Sequence, residues 1–127
     1  AMEVLYKSTV EYCKTREQFG QPIGKFQVLQ HRMVDMFMEH EQSKSLLFMA
    51  AIKMSSGDEA EKKRSISALK VQVGKSGRFV GQNAIQLHGG MGMTDELNIG
   101  HYFKRLTAIE TLFGNVDHHL KKYSNVA

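Results

Sequence analysis

A seven-residue repeat through residues 25–55 constrains this chain more than any other feature. Phe26, Met33, His40, Leu47 and Met54 form one row, and Leu29, Met36, Ser43 and Ala50 form its companion. Such a stripe has a period of about 3.5, slightly below the helical 3.6, so it stays on a partner only when helices pack with a shallow left-handed crossing of about +20°. That is the geometry of an antiparallel helical bundle. His40 and Ser43 interrupt the stripe at its middle. A hydrogen-bonded core histidine beside a small residue fits there better than a ligand or a catalytic group.

The flanking segments keep the helical period. Residues 2–15 place Val4, Leu5, Thr9, Tyr12 and Cys13 near one face. Gly20, Gly24 and the single proline, Pro22, break residues 19–24 into a loop. Ser56-Gly57-Asp58 ends the long helix and starts the next, with Asp58 as N-cap and Glu59 and Glu61 in the positive first turn. The third helix is expected to run to about His88 on a core row of Ile66, Leu69, Val73, Val80, Ala84 and Leu87. Gly74, Gly77 and Gly81 lie inside it, each costing about 1 kcal/mol relative to alanine, which predicts a helix packed close enough to need the missing Cβ. Residues 93–98 read as a polar connection, followed by short helices over 99–112 and 115–124. Alternating apolar–polar runs are absent, so no strand is expected. The fold class is all-α, an up-and-down four-helix bundle forming one domain over residues 1–127.

Composition narrows the function classes. A hydrophobic share of 42% supports a packed core and argues against disorder. No window holds the roughly 18 consecutive apolar residues of a membrane span, and no signal peptide pattern precedes the first helix. One cysteine, Cys13, cannot form an internal disulfide, so a reducing compartment is expected, with Cys13 a buried small hydrophobe. The net charge of +4 suits nucleic acid, an anionic membrane, or an acidic ligand such as a nucleotide or CoA ester. The basic residues are scattered except for Lys62-Lys63-Arg64 and Lys121-Lys122. The first cluster follows Glu59 and Glu61, which reads as a solvated helix start and speaks against nucleic acid as a partner. His118-His119 has no carboxylate or thiolate at ligand spacing, so no metal is expected and a solvated helix turn is the reading.

Two motifs bear on chemistry. Gln86-Leu87-His88-Gly89-Gly90-Met91-Gly92 reads as a helix end followed by a turn of positive φ, where backbone without Cβ lets a flat or phosphate-bearing ligand come close. Most glycine pairs after helices are only caps, so this motif alone decides little. The other runs from Arg16 to Gln27 and follows the pattern R-x-Q-F-G-x-P-I-x-x-F-Q. The two together resemble the C-terminal helical domain of the acyl-CoA dehydrogenases, over essentially the whole chain.

The resemblance implies a flavoprotein that uses FAD to oxidise the Cα–Cβ bond of an acyl-CoA thioester, within fatty acid or acyl-CoA catabolism. It implies an N-terminal helical domain, a middle β-domain and this bundle as the last third. An electron-transfer partner, a homo- or hetero-oligomer (dimer or tetramer), and the cytoplasm, or the mitochondrial matrix in a eukaryote, follow from it too. Carried over by match, Arg16 meets the FAD diphosphate, Gln18 and Phe19 neighbour the cofactor, and Gln27 makes a polar contact further on. Gln86, Gly89 and Gly90 form the turn that approaches the adenosine half, and Asn115 joins the cofactor set. In the family these groups commonly serve the FAD of a neighbouring subunit, so the expected oligomer brings Arg16 near a partner's Gln86–Gly90 turn.

The family's base departs from this pattern. In many members a glutamate in a Tyr-Glu-Gly-Thr segment takes the α-proton, and the matching segment here is Leu112-Phe113-Gly114-Asn115. Phe113 stands at the base position and cannot accept a proton. Glu110 is the nearest carboxylate upstream, about 300° around the helix and about 4.5 Å along it, and could substitute only with a different local backbone. Otherwise the base lies on the first helix of the domain, upstream of this chain, or the chain is the non-catalytic subunit of a heteromer. His101–Leu106 lacks the usual Arg-Asp pair and is similar to bacterial members acting on dicarboxylic or steroid side-chain CoA esters. The competing reading is a helical interaction module that performs no chemistry.

Overall fold

The computed structural model describes residues 1–55 and 58–125. In chain order it contains α1 (Met2–Thr15), β1 (Glu17–Gln18), β2 (Gln21–Pro22), α2 (Gln27–Met54), α3 (Glu59–His88), α4 (Ile99–Thr111) and α5 (Val116–Asn125), with 3₁₀ turns over Ile23–Lys25 and Gly89–Met93. The all-α bundle read from the sequence is present. α3 packs against α1, α2, α4 and α5, while α1 also touches α2 and α4.

Side-chain pairs show how neighbours run. Lys53 near the end of α2 pairs with Glu61 near the start of α3, while Glu39, about four turns earlier on α2, accepts from Gln72 at 3.2 Å. The two long helices are therefore antiparallel. Asp58 caps α3 as expected, its Oδ1 accepting from the backbone N–H groups of Ala60 at 2.9 Å and Glu61 at 3.2 Å. Ser56 and Gly57 of the predicted connection lie outside the described residues.

The three interior glycines of α3 form a ladder under α4 and the start of α5. A Cβ at Gly77 would lie 3.4 Å from Leu106, and one at Gly81 would collide with the ring of Phe103. At Gly74 it would meet Val116 at 2.6 Å. The loss of helix propensity at these positions is thus offset by close packing of α4 and α5. The core is completed by Leu5, Cys13, Met36, Val80, Ala84, Leu87, Ile99 and Leu106.

Three expectations change. The 19–24 loop is the tip of a minimal hairpin, in which Glu17 pairs with Pro22 and Gln18 with Gln21. Phe19 and Gly20 both have positive φ, 54° and 76°, the two-residue turn whose twist suits a hairpin. Strands of two residues are too short to show alternation in a sequence. The heptad seam is also unequal. Met36, Ser43 and Ala50 are buried, whereas Leu47 and Met54 are 52% and 51% exposed, because α1 reaches along α2 only as far as His40 and Leu47. On α3, Ile66 is exposed while Ser65 and Ser67 are buried, since small residues let α3 meet its neighbours closely there.

Candidate functional site

α1 ends at Thr15, and Arg16 continues in extended conformation with its N–H bonded to the Tyr12 carbonyl. The Arg16 carbonyl in turn accepts from the Ile23 N–H at 2.8 Å, so the hairpin folds back beside the helix end. α3 stops at Gly89, whose φ of 59° is the left-handed region that favours glycine. Tyr12 and His88 join the two helix ends. Their rings stack with centroids 4.4 Å apart, and the Tyr12 hydroxyl donates to the His88 carbonyl at 3.4 Å. The His88 Nδ1–H donates to the Ala84 carbonyl at 2.8 Å. Burial pushes its imidazole pKa down, opposed by that hydrogen bond, so the neutral ring is favoured.

This junction forms the floor of a cavity of about 440 Å³ lined by Arg16, Gln18, Gln86, Gly89 and Gly90, with Tyr12 and His88. A Cβ at Gly89 or Gly90 would meet nothing within 4 Å, so the turn faces open space. Arg16 is exposed and belongs to no ion pair among the described residues. An unpaired guanidinium beside a bare backbone turn suits a phosphate-bearing ligand. A single chain brings Arg16 and the Gln86–Gly90 turn together, which the sequence reading assigned to a partner's approach.

The other sequence candidates lie elsewhere. Phe19 projects from the hairpin tip, 90% exposed, with its ring 6.0 Å from that of Phe26. Gln27 opens α2 and is exposed. Neither lines the cavity. Asn115 caps α5, its Oδ1 accepting from the His118 N–H at 3.0 Å. It lines a separate cavity of about 450 Å³ with Arg78, Glu110 and Asp117.

Phe113, which the resemblance matched to the family's base, stands at the α4–α5 junction. Phe113 is 91% exposed with a φ of 59°. Its backbone is held tightly: Lys70 Nζ donates to the carbonyls of Ile109 at 3.0 Å and Leu112 at 2.8 Å. His119 Nε2–H donates to the Phe113 carbonyl at 3.0 Å, and its Nδ1 lies 3.4 Å from Ser67 Oγ. His119 is therefore buried and not the solvated turn expected, because α5 lies along α3 and turns this face inward. Burial pushes its pKa down. The Phe113 carbonyl opposes that, and the charges of His118, Lys70 and Lys122 reinforce it. Glu110 is engaged by Arg78, whose Nη2–H donates to its Oε1 at 2.6 Å.

Sequence reasoning missed Tyr12, His88, Lys70 and Arg78 as positioning groups. Tyr12 lies one helical turn before Arg16, and His88 directly precedes the glycine pair, so both carried a local signal. Lys70 and Arg78 carried none, since their partners are over thirty residues away.

The chain belongs to the acyl-CoA dehydrogenase family: the family model of the acyl-CoA dehydrogenase C-terminal domain matches residues 1–124. It is 33% identical over 113 residues to the L-prolyl-(peptidyl-carrier protein) dehydrogenase of a Serratia species, covering 89% of this chain and 29% of that protein. Among solved structures it is similar to an FAD complex of PigA, with 28% identity, a TM-score of 0.89, and coverage of 97% of this chain and 32% of that one. It is likewise similar to butyryl-CoA dehydrogenase from Megasphaera elsdenii, with 26% identity, a TM-score of 0.90, and coverage of 97% and 32%. The chain thus spans under a third of the length of these relatives.

Proposed function

We propose that this chain is the C-terminal domain of a three-domain FAD-dependent acyl-CoA dehydrogenase and supplies part of its flavin site. The observation that carries the reading is the unpaired Arg16 facing the open Gly89–Gly90 turn across one cavity of about 440 Å³. The guanidinium forks onto the FAD diphosphate, and the Gln86 amide with the bare glycine backbone receives the adenosine half. Gln18 lines the same cavity. When bound, the flavin supplies the acceptor for the hydride that leaves the thioester Cβ.

Phe19, Gln27 and Asn115 do not line that cavity, which supports a site closed by other parts of the assembly. Asn115 serves one flavin and Arg16 that of a neighbouring subunit, so an oligomer completes each site. The outer face of α2 supports such an assembly, with Val34, Met38, Phe48 and Ile52 exposed at 54%, 49%, 58% and 71% along one stripe. The assembly is a dimer or tetramer, and it passes electrons to a separate acceptor protein in the cytoplasm or mitochondrial matrix. The proton acceptor for the α-proton comes from outside these residues, because Phe113 has no basic group and Glu110 is held by Arg78. No helix among the described residues is long and apolar enough to cross a membrane.

Titrating the isotopically labelled 127-residue chain with FAD and with ADP tests this reading. Weak, saturable shifts that include Arg16, Gln18 and Gln86–Gly90 are expected. Absence of shifts at these residues would overturn the flavin assignment, and tight stoichiometric binding would contradict a site shared with other domains. The exposed phenyl of Phe113 favours one second reading, a non-catalytic subunit of a heteromer. Turnover of acyl-CoA by the full-length protein alone, with an artificial electron acceptor, excludes it.

A further inference from the structure

The two basic clusters of the sequence are distant along the chain yet meet in space. Lys63, one helical turn into α3, and Lys122, late in α5, both line a cavity of about 510 Å³ with Ile66, Ser67, His119 and Asn125. The Arg64 guanidinium lies 5.7 Å from the Tyr123 ring centroid and ties the same two helix segments together. The acidic residues at the start of α3 are already engaged. Glu59 pairs with Lys62 at 2.8 Å, Glu61 pairs with Lys53, and the Asp58 carboxylate caps the helix. Lys63 and Lys122 take part in no ion pair among the described residues. The groups that act on the buried His119 by charge are His118, Lys70 and Lys122, with no carboxylate among them. Among the described residues no carboxylate lines this cavity, and the acidic charge acting on Lys63 is that of Glu59, which is already paired with Lys62.

We propose that this cavity between α3 and α5 binds a phosphate monoester or diphosphate of small size, held by Lys63 and Lys122. Two ammonium groups match the charge of a phosphate dianion, and lysine binds phosphate as a compact point charge. The Ser67 hydroxyl and the Asn125 amide add donors for further phosphate oxygens, since the Ser67–His119 contact is long at 3.4 Å. Ile66, 39% exposed, gives the wall against which an apolar body would rest. The volume falls within the roughly 300–1,000 Å³ of small-molecule sites. The site lies apart from the Arg16 cavity, shares no lining residue with it, and stands whether or not the flavin reading holds.

Pyrophosphate and phosphatidic acid provide the test, the first as a soluble ligand and the second as a headgroup. The labelled chain is titrated with pyrophosphate, and its pelleting is measured with phosphatidylcholine vesicles with and without phosphatidic acid. Saturable shifts at Lys63, Ser67, His119 and Lys122 are expected, together with a rise in the His119 titration midpoint. Lys63→Met or Lys122→Met should weaken binding about tenfold, while Lys121→Met, with the same loss of charge, should change it less than about twofold. Pelleting that needs both phosphatidic acid and Lys122 assigns the same phosphate chemistry to a lipid headgroup. Absence of saturable binding in both arms at about 10 mM ligand, equal weakening by Lys121→Met, or shifts confined to Arg16 and Gly89 would overturn the proposal.

Discussion

The two loop-bearing ends of α3 and α4 dispose of their polar groups in opposite ways. Where α1 and α3 end, Arg16 has no counter-charge among the described residues and stands beside a backbone turn that faces open space. Where α4 gives way to α5, the polar groups satisfy one another: Arg78 holds Glu110, Lys70 holds two carbonyls, and His119 holds the Phe113 carbonyl. The first end has unsatisfied binding capacity. The second fixes the shape of a loop whose tip is a phenyl group in solvent. The loop can therefore keep its geometry whatever side chain its tip carries, because backbone-directed bonds hold it.

The largest effect tests the packing on which both ends depend. Gly81→Ile places a branched side chain into the ring of Phe103 and should destabilise the chain by about 1–3 kcal/mol or more, read as a fall in Tm. Next comes a reciprocal pair that separates the ends. Arg16→Met should weaken FAD or ADP binding about tenfold or more and leave Tm nearly unchanged. Arg78→Met should lower Tm, since Glu110 has a side chain only 13% exposed and loses its cation, while ligand shifts at Gly89 persist. Equal binding losses from both would mean that the ends are not independent.

A pH series compares the buried histidine at each end. His88 and His119 both have pKa values held below the usual 6.5, chiefly by burial. The unfolded chain then binds protons that the fold refuses, so their contribution to stability is complete above about 6.5 and declines as pH falls toward the depressed folded values. Urea midpoints should drop between about pH 7.5 and pH 5.5, and His119→Gln, which keeps a donor for the Phe113 carbonyl, should flatten part of that slope. A slope unchanged in this variant would remove His119 from the account. The smallest effect is that of Phe113→Glu, which at 91% exposure should alter stability by less than about 0.5 kcal/mol. A larger loss would show that the phenyl group has a packing role.

Local signals explain what could be read in advance. The repeat of Met36, Ser43 and Ala50, the Asp58 cap and the Gly74–Gly77–Gly81 series each depend on neighbours within a turn or two, or on a penalty at the residue itself, so helices and the need for close packing were legible. Arg16 and the Gly89–Gly90 pair were legible as motifs for the same reason. The hairpin at Glu17–Pro22 was not, because two residues per strand leave no period to detect.

By itself the sequence determined the all-α class and the helix spans, which follow from residue type and local spacing, and its Arg16–Gln27 and Gln86–Gly92 motifs carried the resemblance to the family. Only the tertiary structure decided which polar groups stay unpaired. It placed Arg16 and the Gln86–Gly90 turn on one cavity of one chain, buried His119, engaged Glu110 with Arg78, and drew Lys63 toward Lys122. Pairing of charges is set by distance across packed helices, and that distance is fixed by the interdigitation of side chains far apart in sequence.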